Sequence, residues 1–170
     1  MHYFPRLFKN VPEVEWRGAI HNHLSELGTR LGDVRITYGY SPAHRLDPDR
    51  TLRILEKECQ NPERVREMFY LAREYYYRGY MDKSLLMFGK YVQKSVFLAE
   101  KAEAFLTMSK IYWDLKMGED AKDACLQAIK INPHFKEAVT FMSQIVWPKH
   151  QAQWIRMAET ASNEEVLFVR

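Results

Sequence analysis

The fold is decided by two related segments, Phe69-Tyr70-Leu71-Ala72-Arg73-Glu74-Tyr75 and Phe105-Leu106-Thr107-Met108-Ser109-Lys110-Ile111-Tyr112. They belong to a stretch from Arg66 to Ile131 that contains one helix pair twice. Aligning Tyr75 with Tyr112 also aligns five other pairs: Leu71 with Met108, Ala72 with Ser109, Ser84 with Ala121, Phe88 with Cys125, and Tyr91 with Ala128. Gly79 and Gly118 are further landmarks. Small residues recur where two helices cross closely, and large apolar residues recur where a helix fills the gap to its neighbour.

This pattern resembles the tetratricopeptide repeat (TPR), a helical hairpin of about 34 residues that stacks into a solenoid. The offset between the two copies is slightly longer, which predicts a short insertion near Ser95 to Leu98. A third copy begins with Phe135 to Trp147 and departs from the pattern at Pro148. We therefore expect a mainly α protein, a TPR-like solenoid of about seven helices preceded by a small antiparallel β segment.

Composition narrows the function classes. The 170 residues are 46% hydrophobic and 14% aromatic, so the chain can bury a core and disorder is not expected. The net charge of +3 is spread along the chain, and we expect no nucleic-acid partner. The two cysteines, Cys59 and Cys125, are predicted to be free, buried thiols. No apolar run is long enough to cross a membrane, which favours a cytoplasmic protein.

Three segments are expected. Residues 1–45 form the β segment, with strands near 3–9, 15–21 and 34–38. Residues 46–161 form the helical repeats, and residues 162–170 form a strand-like tail. Helices are predicted over 51–60, 65–78, 82–94, 99–116, 119–131, 134–147 and 149–161. Asp47 is expected to cap the first of these helices and Asp82 the third, while Asn61-Pro62 and Asn132-Pro133 separate neighbouring helices.

A candidate binding groove follows from the helical spacing, because the first helix of each pair lines the concave face of such a solenoid. Its outward-facing stripes are Phe69, Arg73, Tyr76 and Tyr77 in the first copy, Leu106, Lys110, Trp113 and Asp114 in the second, and Thr140, Gln144 and Trp147 in the third. We call these the groove residues. An aromatic residue accompanies a basic or amide residue in each copy. This combination suits a peptide whose backbone and acidic groups are held by Arg73, Lys110 and Gln144, and it also suits a sugar stacked on Tyr76 or Trp113.

Other roles for the same aromatic residues stay open. They can pack against the N-terminal segment or the next helix. They can also be buried in a homodimer through Trp113 and Trp147.

An ordered series of motifs carries a second resemblance. The series reads Arg6-Leu7-Phe8-Lys9-Asn10, Trp16-Arg17-Gly18-Ala19-Ile20-His21-Asn22-His23-Leu24, Ile36-Thr37-Tyr38-Gly39-Tyr40-Ser41-Pro42 and Phe69-Tyr70-Leu71-Ala72-Arg73-Glu74-Tyr75-Tyr76. It resembles the end of the catalytic domain of bacterial family 2 glycosyltransferases that carry C-terminal tetratricopeptide repeats. The resemblance covers residues 4 to about 94.

The resemblance implies a C-terminal portion of such an enzyme, inactive alone because the nucleotide-sugar-binding domain is missing. The chain alone would hold no cofactor, whereas the full enzyme would use a divalent metal, Mn or Mg, with a nucleotide-sugar. His21 matches the family histidine near the donor phosphates or metal and is the candidate catalytic residue. Asn22 stands where the family usually has Glu, and Thr37 where it often has His.

The residues themselves support a weaker metal hypothesis. His21 and His23 lie two positions apart, so on one strand they would share a face and could bind one metal ion. The alternative is that both are ordinary polar strand residues.

No nucleophilic side chain has a base at a spacing that would indicate a catalytic pair. The main functional hypotheses are therefore the glycosyltransferase portion, whose repeats position an acceptor or partner, and a stand-alone module that binds a peptide in its groove. A third is a purely structural role.

Overall fold

The computed structural model describes residues 11–18, 23–25 and 46–161, with only the backbone of His23 and Leu24 described. In this part of the chain seven helices follow one another: α1 (Arg50–Glu58), α2 (Val65–Tyr77), α3 (Met81–Lys94), α4 (Leu98–Asp114), α5 (Gly118–Ile131), α6 (Lys136–Ile145) and α7 (Pro148–Thr160). They are preceded by two short strands, β1 (Trp16–Arg17) and β2 (His23–Leu24). The prediction of a mainly α chain with about seven helices is confirmed.

The two strands form an antiparallel pair in which Trp16 is opposite Leu24 and Arg17 is opposite His23. The Ser25 hydroxyl stabilises the pair, because it accepts a 3.0 Å hydrogen bond from the Glu15 amide and donates a 3.3 Å bond to the Glu13 carbonyl. Gly18 follows β1 with φ +91°, a left-handed conformation that ends the strand.

The predicted strand over 15–21 is confirmed at Trp16–Arg17, and Gly18 ends it. Residues 19–22 lie outside the described residues. The shared strand face of His21 and His23 stays a prediction, because His21 lies outside the described residues. The predicted strands near 3–9 and 34–38 and the tail 162–170 also lie outside them.

Two predicted helix caps are wrong. Asp47 does not cap α1, which begins at Arg50. Its carboxylate instead accepts two hydrogen bonds from the Arg53 guanidinium, at 2.8 and 2.6 Å. This paired geometry matches the carboxylate better than a single backbone amide does. The hydrogen bond from Arg53 also lowers the pKa of Asp47 below its usual range. Asp82 lies inside the first turn of α3, where it complements the helix dipole rather than capping the helix.

The two Asn-Pro separators form equivalent turns. The Asn61 side-chain oxygen accepts a 3.0 Å hydrogen bond from the Glu63 amide, and the Asn132 oxygen accepts a 3.1 Å bond from the His134 amide. Such a bond to the amide two residues ahead reverses the chain locally. Because the connections are short, each helix packs antiparallel to the next, and neighbouring helices are in contact from α1 to α7.

The core lies between successive helices in three linked clusters. The first joins α1 to α2 through Leu55, Leu71 and Tyr75. The second joins α2, α3 and α4, and includes Phe69, Phe88, Tyr91 and Ala104. The third joins α4, α5 and α6, with Trp154 of α7 packed against it, and includes Leu106, Cys125, Phe135 and Met142. Each cluster contacts only neighbouring helices, which is the packing of a solenoid.

A buried hydroxyl fixes each close crossing of a helix pair. In the first repeat the Ser84 hydroxyl on α3 donates a 2.8 Å hydrogen bond to the Ala72 carbonyl on α2. In the second repeat the direction is reversed, since Ser109 on α4 donates a 2.6 Å bond to the Ala121 carbonyl on α5. The predicted equivalence of these positions is confirmed.

The turns between paired helices also repeat. The Tyr80 amide donates to the Tyr75 carbonyl, and the Met117 amide donates to the Tyr112 carbonyl, both at 2.9 Å. Gly79 occupies the turn with φ +77°, and Lys116 occupies the equivalent position with φ +64°. The residue equivalent to Gly79 is therefore Lys116 and not Gly118, which is the first residue of α5.

Candidate binding face of the first helices

The first helices of the three pairs, α2, α4 and α6, present most of the groove residues to solvent, and Trp147 lies in the connection after α6, which ends at Ile145. Trp113, Trp147 and Tyr77 are 40%, 63% and 66% exposed, respectively. The polar residues Asp114, Thr140 and Gln144 are exposed, and Arg73, Tyr76 and Lys110 are half-buried. The stripe spacing therefore predicted the surface position of nine groove residues.

Phe69 is a wrong groove prediction, because its side chain is 0% exposed. Its ring centroid lies 5.2 Å from that of Tyr91 and 6.0 Å from that of Phe88. Leu106, at the equivalent position of α4, is also 0% exposed and belongs to the third cluster. These two positions face the second helices, so they pack the core beneath the groove.

Arg73 is held by aromatic neighbours. Its Nη2 atom donates a 2.7 Å hydrogen bond to the Tyr77 hydroxyl, and its Cζ atom lies 5.6 Å from the ring centroids of both Phe69 and Tyr77. A guanidinium carries five N–H donors. Within residues 46–161 only one of them is used, so the others can bind a carboxylate or carbonyl of a ligand.

The groove residues of α2 and α4 influence each other electrostatically. Burial first, and then the negative charge of Asp114, raises the pKa of Tyr76 above its usual value. The charge of Asp114 on α4 therefore acts on Tyr76 on α2. Lys110, one turn before Asp114, makes no hydrogen bond or ion pair with the described residues.

Trp113 and Trp147, from the second and third copies, both lie near the first turn of α5. A Cβ atom placed on Gly118 would lie 3.9 Å from the Trp113 ring. One turn later, the Lys122 ammonium lies 5.2 Å from the Trp147 ring centroid, a favourable cation–π contact. Trp147 also lines a cavity of about 360 Å³ with Pro148 and Lys149. Sequence reasoning missed Lys122, because its contact with Trp147 joins two helices and no spacing within one helix indicates it.

Comparison with known proteins supports the fold. No family model matches the chain, and no curated protein matches it. Among solved structures, the crystal structure of MamA matches with a TM-score of 0.56 at 18% identity, over 72% of this chain and 72% of the MamA chain. The fold is a TPR-like helical solenoid. A likeness at this identity shows the fold alone, and none of these comparisons supports a glycosyltransferase origin.

The described residues hold no group of three or more His, Cys, Asp or Glu side chains that could bind a metal ion. The catalytic role of His21, and metal binding by His21 and His23, stay predictions. In the same part of the chain, no helix is long and apolar enough to cross a membrane.

The two cysteines are both free thiols. Cys125 is buried as predicted, whereas Cys59 is only half-buried. Burial is the main cause that raises the pKa of each thiol to about 11. Burial therefore favours the protonated, less reactive form of each thiol at neutral pH.

Proposed function

We propose that the chain is an interaction module that binds an extended peptide segment of a partner protein along the exposed groove residues of α2, α4 and α6. One observation supports this above all. Equivalent positions of the three repeats pair a cation or amide with a solvent-exposed or half-buried aromatic residue: Arg73 with Tyr76, Lys110 with Trp113, and Gln144 with Trp147.

The aromatic residues would supply most of the binding energy. Trp147 and Trp113 expose 63% and 40% of their surface, and tryptophan and tyrosine are enriched among residues that dominate binding at interfaces. They are also partly held in place before binding, Trp147 by Lys122 and Tyr77 by Arg73. Little side-chain freedom would be lost when a ligand covers them.

The polar residues would set the ligand's chemistry. Arg73 and Lys110 offer unused donors to carboxylates or backbone carbonyls, and Gln144 offers both a donor and an acceptor. The negative charge of Asp114, which acts on Tyr76, would disfavour a ligand carboxylate there. We therefore expect peptides that combine apolar or aromatic side chains with acidic ones.

The test is selection from a random peptide library displayed on phage, followed by fluorescence anisotropy with the selected peptides. Lys110→Ala and Trp147→Ala should each weaken binding about tenfold, the size typical of a dominant interface residue. Lys130→Ala and Leu126→Ala are the matched controls, because both residues are exposed on α5, a second helix. They should leave the affinity unchanged.

Failure to select any binding peptide would overturn the proposal. So would equal binding by the groove variants and the wild type. If sedimentation velocity instead showed a dimer that dissociates on Trp147→Ala, the groove would be a homodimer interface.

The second candidate keeps the family 2 glycosyltransferase resemblance, with the same face positioning an acceptor or partner beside a catalytic domain supplied outside this chain. It is supported by the ordered motif series, whose last member, Phe69 to Tyr76, lies on α2. A nucleotide-sugar that binds with Mn²⁺ and no longer binds after His21→Ala would support it. Absence of such binding in the protein from its native source would contradict it.

A further inference from the structure

Lys122 on α5 departs from the repeat at the position that contacts Trp147. The aligned pair Ser84 and Ala121 makes Leu85 on α3 the residue equivalent to Lys122. Both side chains are half-buried, so the first repeat fills this position with an apolar residue. Packing does not require a lysine here, which indicates a separate role for its charge.

The ammonium group of Lys122 is held from two directions. It lies 5.2 Å from the ring centroid of Trp147, and it donates a hydrogen bond to the Glu119 carboxylate one turn earlier on α5. The Lys122 side chain is only 15% exposed, whereas that of Glu119 is 81% exposed. Because the lysine stem is largely covered, its charge stays at the Trp147 ring instead of extending into solvent.

Within residues 46–161, this contact is the main one that orients the Trp147 ring. The tryptophan lies in the α6–α7 connection, is 63% exposed, and belongs to none of the three core clusters. Its carbonyl accepts a 2.9 Å hydrogen bond from the His150 amide, but that bond fixes only the backbone. The orientation of the ring therefore depends on Lys122.

The cavity beside Trp147 contains a second cation. Its volume is about 360 Å³, and Pro148 and Lys149 complete its wall. Lys122 does not line the cavity, so the cavity meets a part of the ring that Lys122 leaves free. Lys149 is exposed, and it has no ion-pair partner in the described part of the chain. A side chain that enters the cavity would therefore meet a ring in contact with one ammonium group and a wall that carries another.

The acidic residues of α5 close in sequence to Lys122 do not reverse this positive charge. Glu119 pairs with Lys122, but it is 81% exposed, so its charge is screened more strongly by water and salt. Asp120 and Asp123 are exposed on the same helix, and residues one or two positions from Lys122 do not share its face. The charge that α5 presents to the tryptophan ring is therefore positive.

We propose that Lys122 determines the specificity of the peptide site at Trp147, because it orients the ring for an apolar side chain and, with Lys149, disfavours basic peptide residues there. This rests on the peptide-binding function proposed above. A cation already in contact with an aromatic ring repels a second cation, whereas a carboxylate is attracted to both ammonium groups. The preferred ligand would place an apolar side chain against Trp147 and an Asp or Glu next to it.

The test uses peptides selected on the full wild-type chain. The peptide residue that contacts Trp147 is the one whose replacement by alanine weakens binding to the wild type but not to Trp147→Ala. Versions with Glu or Lys beside that residue are then measured by fluorescence anisotropy on the wild type, Lys122→Leu and Lys122→Arg. Leucine is the residue of the equivalent position on α3, and arginine keeps the charge. Circular dichroism would confirm that each variant is folded.

The wild type and Lys122→Arg should prefer the Glu peptide over the Lys peptide on the order of tenfold. Lys122→Leu should reduce this ratio to about threefold, the size expected from the exposed Lys149 alone. The matched control is Lys130→Leu, which removes an exposed lysine from the same helix and should keep the wild-type ratio.

The orientation of the ring has a readout that needs no peptide. The chain has four tryptophans, and the indole N–H signal of Trp147 can be assigned in a nitrogen–proton NMR spectrum by its absence in Trp147→Phe. Lys122→Leu should shift this signal, because the ring loses the adjacent ammonium group. Lys130→Leu should leave it in place.

Two outcomes would overturn the proposal for Lys122 while peptide binding still stands: selected peptides that need Trp147 but show no preference for Glu over Lys, or a preference that Lys122→Leu leaves unchanged. An indole signal of Trp147 that does not move in Lys122→Leu would also overturn it. If no peptide were selected at all, the peptide-binding function itself would be overturned, and the role of Lys122 with it.

Discussion

At the scale of single residues, the turn between paired helices repeats its backbone conformation but not its residue type. Gly79 and Lys116 both adopt left-handed backbone at the turn between paired helices, with φ +77° and +64°. Glycine takes this conformation without strain, whereas a residue with a Cβ atom does so at a cost of about 1 kcal/mol. The second turn is therefore strained by its lysine.

The strain predicts opposite effects at the two turns. Lys116→Gly should raise the free energy of unfolding by about 0.5–1 kcal/mol, while Gly79→Lys should lower it by about 1 kcal/mol. Urea unfolding followed by circular dichroism measures both changes. The two variants control for each other, because each gives one turn the residue of the other. Equal destabilisation by both substitutions would contradict a conformational origin.

Matching by residue type pairs Gly79 with Gly118, which is the wrong equivalence. The aromatic landmarks Tyr75 and Tyr112 gave the correct offset, which places Lys116 at the turn. Phe69 was misassigned for a related reason. Helical spacing places a residue on a stripe, but only the packing of α2 against α3 decides that this end of the stripe is covered.

At the scale of helices, the close crossings of α2 with α3 and of α4 with α5 use the same two positions with the serine exchanged. Ser84 donates from the second helix in the first repeat, and Ser109 donates from the first helix in the second repeat. Ala72 and Ala121 supply the carbonyl and the small side chain that lets the helices approach. One hydroxyl and one methyl group fill each crossing.

Exchanging the two residues in the second repeat tests this equivalence. Ser109→Ala should lower the free energy of unfolding by about 1 kcal/mol, because a buried hydrogen bond is lost. Adding Ala121→Ser gives the arrangement of the first repeat and should recover at least half of that loss. Ala121→Ser alone, which crowds two hydroxyls together, should destabilise the protein. These values come from urea unfolding at one pH. A double variant whose loss equals or exceeds the sum of the single losses would contradict the equivalence.

Helix positions were predictable because apolar periodicity and Asn-Pro turns act locally. The residues at which helices begin were less predictable from the sequence. Asp47 had the sequence of a cap but pairs with Arg53, since a bidentate ion pair competes successfully for the same carboxylate. The contact of Lys122 with Trp147 joins α5 to the α6–α7 connection and needed the structure.

At the scale of the whole molecule, buried tyrosine hydroxyls link successive helices. Tyr75 on α2 donates a 2.9 Å hydrogen bond to Glu56 on α1, and Tyr91 on α3 donates a 2.9 Å bond to Glu100 on α4. Burial first, and then the hydrogen bond to Glu56, raises the pKa of Tyr75 from 10.0 to about 12. Burial is also the largest cause that raises the pKa of Tyr91, with the charge of Glu100 acting in the same direction.

These shifts predict a loss of stability at alkaline pH. In the unfolded chain both phenols release their protons near pH 10, whereas in the folded chain they keep them, so above pH 10 the unfolded state binds fewer protons. The free energy of unfolding should therefore be constant below pH 10 with respect to these groups and fall as the pH rises towards 12.

Tyr91→Phe should be less stable than the wild type by about 1.5–3 kcal/mol at pH 8, because it lacks a hydrogen bond to a carboxylate. Since the variant has no phenol there to ionise, the difference between the two proteins should narrow above pH 10. Urea unfolding at a series of pH values, with absorbance at 295 nm to report phenolate, measures both trends. A stability difference that stays constant from pH 8 to pH 11 would show that Tyr91 ionises alike in the folded and unfolded chains, and that its bond to Glu100 does not hold α3 and α4 together in this way.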